Sequence, residues 1–132
     1  MRQSQKEIFV NEIASRIDAL LHPAIEGEKD SPPSAPGEGE SWLVGKAPLA
    51  EWQDYSGQIA SFQSGNWPFS APLVGMRVYN KTKGQVMYWH NGWTFAAKPA
   101  APSGGTTIDS EARTAIVGII AALVAAGILP AA

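Results

Sequence analysis

Two stretches decide how this chain is read: GQIASFQSGNWPF at Gly57–Phe69 and GQVMYWHNGWTF at Gly84–Phe95. Superposed, Gly57 falls on Gly84, Gln58 on Gln85, Phe62 on Trp89 and Gly65 on Gly92, an offset of 27 residues. Asn66 is one extra residue, so the offset becomes 26 where Trp67 meets Trp93 and Phe69 meets Phe95. Self-similarity at this period marks a structural unit used twice, and catalytic sites are rarely doubled this way. The unit reads as a β-hairpin. Ser64-Gly65 and Asn91-Gly92 accept the positive φ that a type I′ turn demands, and side chains two apart on a strand share a face. Trp67 with Phe69, and Trp93 with Phe95, should therefore each form one aromatic face. The expected fold is mainly β, a small antiparallel sheet or barrel of repeated hairpins, with an N-terminal and a C-terminal α-helix and a trimeric assembly.

Outward from the repeat, the aromatic-rich β domain spans 41–95, because eleven of the twelve aromatic residues fall there and only Phe9 lies outside. Before it, 26–40 (EGEKDSPPSAPGEGE) is acidic, punctuated by proline and empty of large apolar residues, the composition of a linker or of an extended strip lying on a partner. Residues 1–25 form a docking helix. Ser4 and Glu7 have the spacing of a capping box, and Pro23 ends the helix after His22. Val10, Ile13, Ile17 and Leu20 recur at spacings of three, four and three, an a/d seam that suits packing on other helices or equally on its own domain.

After the β domain, 96–107 (AAKPAAPSGGTT) is a second, flexible linker, and 108–132 holds the last helix, with Asp109 as its N-cap and Ser110–Leu129 as its body. That helix is uncharged from Ala115 onward. Ile116, Val117, Ile119, Ile120, Leu123 and Val124 cover most of its circumference, and a helix apolar all round must be buried on all sides. Three burials compete: a membrane, its own β domain, or other copies. About 15 helical residues precede Pro130, short of the ~20 needed to span a bilayer. No basic cluster flanks the segment to orient it, so a membrane partner is not expected. A β domain of this size has a marginal core and no cysteine to staple it. Packing between copies is therefore the preferred reading. Val10, Ile13, Ile17, Leu20, Ile116, Ile119, Ile120, Leu123 and Val124 are the candidate oligomerisation residues.

Bulk composition removes several function classes. The net charge is −2, which leaves no basic excess to neutralise phosphates, so no nucleic-acid partner is expected. Zero cysteines exclude thiol catalysis and thiolate metal sites. Two histidines, His22 and His90, lack a metal-binding spacing and no Gly-x-Ser-x-Gly elbow is present. Glu51 and Asp54 are the only carboxylates inside the β domain after Glu40, and they sit in one short stretch, unlike a pair set across a glycosidic bond. No catalytic residue, metal or cofactor is expected. Exposed aromatic rings stack on sugars, and the less regular positions Trp52, Tyr55, Tyr79 and Tyr88 are the candidate glycan-binding residues. The MRQSQKEIF start has no apolar signal core.

The ordered motifs Gln5-Lys6, Asn11-Glu12, Arg16-Ile17-Asp18-Ala19-Leu20, Gly39–Gly45, Trp52–Ala60, Gly65–Phe69, Pro72–Gly75 and Gly92-Trp93 resemble a family of uncharacterised domains. That family occurs in tail-fibre and head-spike proteins of alphaproteobacterial phages and gene transfer agents. The resemblance covers roughly residues 3–95. The last helix, EARTAIVGIIAALVAAGIL, separately resembles a short helix near the ends of phage fibre proteins that clasps subunits. These resemblances imply a virion structural protein, made in the bacterial host cytoplasm. It would be a short homotrimeric fibre or spike subunit, or a fibre-base connector for host attachment, touching other head or tail proteins. The alternative is a carbohydrate-binding module for host surface polysaccharide. Stopping directly after the helix, where family members continue, favours the short spike, fibre base or connector.

Overall fold

The structure, a computed structural model, describes residues 2–21 and 23–131. His22 lies outside them, as does the side chain of Ser4 and with it one half of the expected capping box. The chain runs α1 (Arg2–Leu21), β1 (Ala24–Ile25), β2 (Glu28–Lys29), β3 (Ser41–Val44), a 3-10 turn (Ala50–Trp52), β4 (Ile59–Ser61), β5 (Phe69–Ser70), β6 (Arg77–Asn80), β7 (Gln85–Trp89), β8 (Trp93–Phe95) and α2 (Ser110–Ala125). The protein is thus largely β with two helices.

Instead of one sheet or a barrel, the strands make two open four-stranded sheets, β1-β6-β7-β8 and β2-β3-β4-β5. Each has an antiparallel core and one parallel edge, β1 along β6 and β2 along β3. The physical reason lies in a segment that carries few apolar residues. Residues 23–29 run extended between the sheets and bond to both. The carbonyls of Pro23 and Ile25 accept from Tyr79 and Lys81 at 2.9 Å each. On the other side, Glu26 N–H donates to Ser41 at 2.8 Å and the Gly27 carbonyl accepts from Leu43 at 2.9 Å. The crossing point is tight: a Cβ on buried Gly27 would stand 2.8 Å from Thr82 Oγ1, so the threonine side chain would have to shift. Backbone bonding, invisible to hydrophobic patterning, holds the two sheets to one ribbon.

Between the sheets Ile25, Leu43, Ile59, Val78 and Met87 form one core cluster, with Met76, Trp93 and Phe95 packed against it. Each fully buried aliphatic side chain there contributes about 1.5–3 kcal/mol. A second cluster gathers Val44, Trp52, Ala60 and Trp67, with Trp42, Phe62 and Phe69 around it. Trp52 meets Trp67 edge to face at 5.0 Å and 87°, an arrangement set by the ring quadrupoles.

In the β4–β5 pair Ala60 lies opposite Phe69, and in the β7–β8 pair Met87 lies opposite Phe95. The first turn is two residues long, with φ of 50° at Ser64 and 76° at Gly65, and Gln63 and Asn66 close it by reciprocal backbone bonds of 2.9 and 3.0 Å. The second departs from the type I′ expectation. With one residue fewer between Trp89 and Trp93, His90 N–H bonds to Gly92 at 3.0 Å, Asn91 takes φ 57° and Gly92 opens to 151°.

The last helix ends four residues before the expected Leu129. Gly127, at φ 68°, breaks it. Its N–H donates to Val124 and that of Ile128 donates to Leu123, at 2.9 and 3.0 Å, the paired bonds of a Schellman C-cap. At the other end Asp109 accepts from the Ala112 N–H at 2.8 Å, as an N-cap does.

Candidate interaction surfaces

Every described side chain of α1 between Lys6 and Leu21 is exposed, Ile8 at 65 % included. Phe9, Val10, Ile13, Ile17, Leu20 and Leu21 are all between 42 % and 66 % exposed. On the other side, Ile8, Asn11 and Glu12 border a cleft of about 370 Å³ whose far wall is Gln63, Ser64, Asn66 and Pro68 of the β4–β5 turn. At about 100° per residue the middle of that side and the middle of the Val10–Leu20 seam are roughly 170° apart. The lower end of the seam meets the loop before β6, where Leu20, Leu73, Met76 and Arg77 line a second cleft of about 380 Å³. Leu73 and Val74 at the tip of that loop are 75 % and 76 % exposed, yet the loop is firmly built. Gly75 N–H bonds to Trp89 and Trp89 N–H to Met76, both at 2.9 Å.

The helix α2 divides its apolar residues between its own chain and solvent. Ile120 is buried and Leu123 and Val124 are half-buried, while Ile116, Val117 and Ile119 are exposed. Val117, Ile120 and Val124 face Lys98, Pro99 and Ala101 across a groove of about 490 Å³. Beyond the helix, the chain is tied to the first sheet. Val86 N–H donates to the Gly127 carbonyl at 2.7 Å. Gln85, only 3 % exposed, donates from Nε2 to Ala96 at 2.6 Å and to Ile128 at 2.8 Å, and Lys98 Nζ reaches the Ala131 carbonyl at 3.0 Å. Buried amides hold a position only when their donors are used; here one amide stitches the exit from β8 to the tail. Sequence reading missed Gln85. The Gly-Gln dipeptide repeated at Gly57-Gln58 and Gly84-Gln85 was its one available signal.

The aromatic candidates separate. Trp52 is 0 % exposed and offers no ring face to a sugar, which corrects its place among the glycan-facing residues. The irregular AEWQDYSG stretch, read as surface, folds a 3-10 turn that drives this ring into the core. Tyr55 lies outside and stacks on Phe69 at 3.6 Å with the planes 1° apart. Tyr79 and Tyr88 alternate with buried Val78 and Met87, so they share the outer face of the first sheet, where Arg77 stands directly opposite Tyr88. The Tyr79 ring is flanked by Gly127, where an added Cβ would come within 3.2 Å. No single surface collects all four residues.

Among the described residues no three histidine, aspartate or glutamate side chains gather as metal ligands, and no helix is long and apolar enough to cross a membrane. His90 is exposed in the second turn. Glu51 and Asp54 are likewise exposed. Among the described residues the Glu111 carboxyl is held below the usual range by the Ser110 hydroxyl and its own N–H.

Among curated proteins none matches the chain. One family model, described as Protein of unknown function (DUF2793), matches residues 10–94, which takes in the α1 seam and both sheets and stops short of α2. That range is well over half of the sequence. The chain therefore belongs to the DUF2793 family, an uncharacterised domain family.

Proposed function

We propose that this DUF2793 chain is a virion structural protein: a short homotrimeric fibre or spike subunit, or a fibre-base connector, that a phage or gene transfer agent uses in host attachment. One observation carries the reading. A small β body with an aromatic core is flanked by two helices that leave apolar residues in solvent, Val10, Ile13 and Ile17 on α1 and Ile116, Val117 and Ile119 on α2, and apolar surface of that kind is where other subunits dock. In this reading β3–β5 and β6–β8 are two copies of one hairpin unit. Support comes from the matched cross-strand pairs and from equivalent ring contacts, Phe62 with Trp67 at 5.0 Å and Trp89 with Trp93 at 5.4 Å. The protein acts by binding, without a catalytic step. Mass spectrometry of particles purified from the producing bacterium tests the assignment. The chain should be present at fixed stoichiometry to the head or tail proteins, and intact particles without it would refute the virion role.

A second reading, recognition of host surface polysaccharide, is favoured by the outer face of the first sheet. Tyr79, Tyr88 and Arg77 there combine ring faces with a cation. Tyr88→Ala should abolish binding to host polysaccharide measured by calorimetry, while unchanged affinity would dismiss this face.

A further inference from the structure

We infer that the outer face of the first sheet takes an acidic polysaccharide, with the carboxylate of a uronic acid unit on Arg77 and sugar rings on Tyr88 and Tyr79. The inference rests on the reading of this face as a polysaccharide site and adds the charge of the ligand.

Strand register assembles the face. Side chains alternate along a strand, and Val78, Asn80, Gln85 and Met87 are buried, which leaves Arg77, Tyr79, Val86 and Tyr88 on the outer side of β6 and β7. Arg77 stands opposite Tyr88, and Tyr88 opposite Thr94 of β8. A guanidinium, a phenol ring and a hydroxyl therefore lie in one row across three strands, with about 4.8 Å between neighbouring strands, and all three residues are exposed. The adjacent row is Ala24, Tyr79 and Val86, where the second ring stands between two smaller side chains. Tyr79 and Tyr88 are 40 % and 43 % exposed. Rings carried on paired strands form a rigid platform, which keeps the ordering cost of binding low.

Charge selects the class of sugar. Between Tyr55 and Ile108 the chain holds Arg77, Lys81, Lys83 and Lys98 and no aspartate or glutamate, while the remainder carries twelve acidic and six basic residues. Strands β6–β8 thus present no carboxylate to repel an anion. Arg77 is also uncommitted. Lys81 is paired with Glu26, Lys29 lies over the Trp42 ring at 4.7 Å and Lys98 reaches the Ala131 carbonyl. Arg77 has no such partner among the described residues. Its planar fork matches a carboxylate through two parallel hydrogen bonds, and it stands one strand away from the Tyr88 ring on which the sugar would stack. Tyr55 offers the opposite setting. Phe69 already covers one face of its ring at 3.6 Å, and Glu51 and Asp54 lie close to it in the chain. An anionic polymer is therefore steered to the first sheet.

Calorimetry on the full chain tests this with surface polysaccharide extracted from the producing bacterium, native and with its carboxylates reduced to alcohols. The native polymer should bind, and carboxyl reduction should weaken binding about tenfold, as expected for hydrogen bonds to a charged group. Arg77→Gln should weaken binding of the native polymer by about the same factor and leave binding of the reduced polymer unchanged. Its Tm should not move, because Arg77 is exposed and unpaired among the described residues. If native and reduced polymers bind equally while Tyr88→Ala still abolishes binding, the inference is overturned and a polysaccharide site stands. Equal weakening of both polymers by Arg77→Gln would overturn it in the same way. Binding of neither form would remove both. Self-association at low salt that Arg77→Gln abolishes would assign the face to the acidic segments of another copy and overturn the inference.

Discussion

Replacing Gln85 by alanine isolates what one buried amide does for the last helix. Its Nε2 donates to two carbonyls from distant parts of the chain, Ala96 at 2.6 Å and Ile128 at 2.8 Å. Each such bond contributes about 0.5–1.5 kcal/mol net, and a buried acceptor left bare costs about 1–3 kcal/mol. Ala96 is half-buried and Ile128 exposed, so water recovers part of that loss and the sum comes to about 2 kcal/mol. For a chain of this length that is a fall in Tm of roughly 8 °C. Gln85→Glu sharpens the test. An ionised carboxylate cannot donate to either carbonyl, so its folded pKa rises above the ordinary glutamate value of about 4.3. The variant is then closest to the unsubstituted protein below that value and loses stability as pH rises through the folded pKa. Urea melts at pH 4 and pH 7, followed by tryptophan fluorescence, give both numbers. Amide exchange at Ile128 and Leu129, which bond back to Leu123, reports release of the tail directly. If Gln85→Ala lies within about 0.5 kcal/mol of the unsubstituted chain and tail exchange is unchanged, the clamp is not energetically real.

Two tryptophans should respond unequally to the same change. Trp93 Nε1 donates to Gly57 at 2.8 Å, so Trp93→Phe should cost about 2 kcal/mol. Trp52 Nε1 is buried and meets no acceptor among the described residues, so Trp52→Phe should stay within about 1 kcal/mol, because lost volume is offset by removing an unpaired donor; urea denaturation ranks them. Asp109→Ala should destabilise α2 by about 1 kcal/mol through loss of its N-cap, read as faster exchange of the Ala112 amide. Gly127→Ala combines a left-handed φ with close approach to the Tyr79 ring at 3.2 Å, and should cost about 1–3 kcal/mol; an unchanged Tm would show that the helix end rearranges freely.

Several elements were legible in the residues alone. Proline and the heptad spacing marked α1, Asp109 marked the start of α2, and Ser64-Gly65 marked a tight turn, because each depends on interactions within a few residues of one another. The residues that the α1 spacing singled out, Val10, Ile13, Ile17 and Leu20, are all exposed, as are Ile8, Phe9 and Leu21 beside them. What failed had distant causes. Trp52 looked like a surface ring because its neighbours are polar, and only packing against Trp67 makes it core. The helix α2 looked four residues longer because Gly127 and Ile128 extend an apolar run, until a C-cap and a bond to Val86 turn the chain.

The sequence by itself determined where α1 ends, where α2 begins and where the first tight turn falls, since these follow from backbone propensity and local capping. Only the tertiary structure decided that the strands divide into two sheets. Their division rests on main-chain bonds from Pro23, Ile25, Glu26 and Gly27 to residues far along the chain, and a backbone amide carries no signature in the side chains that flank it.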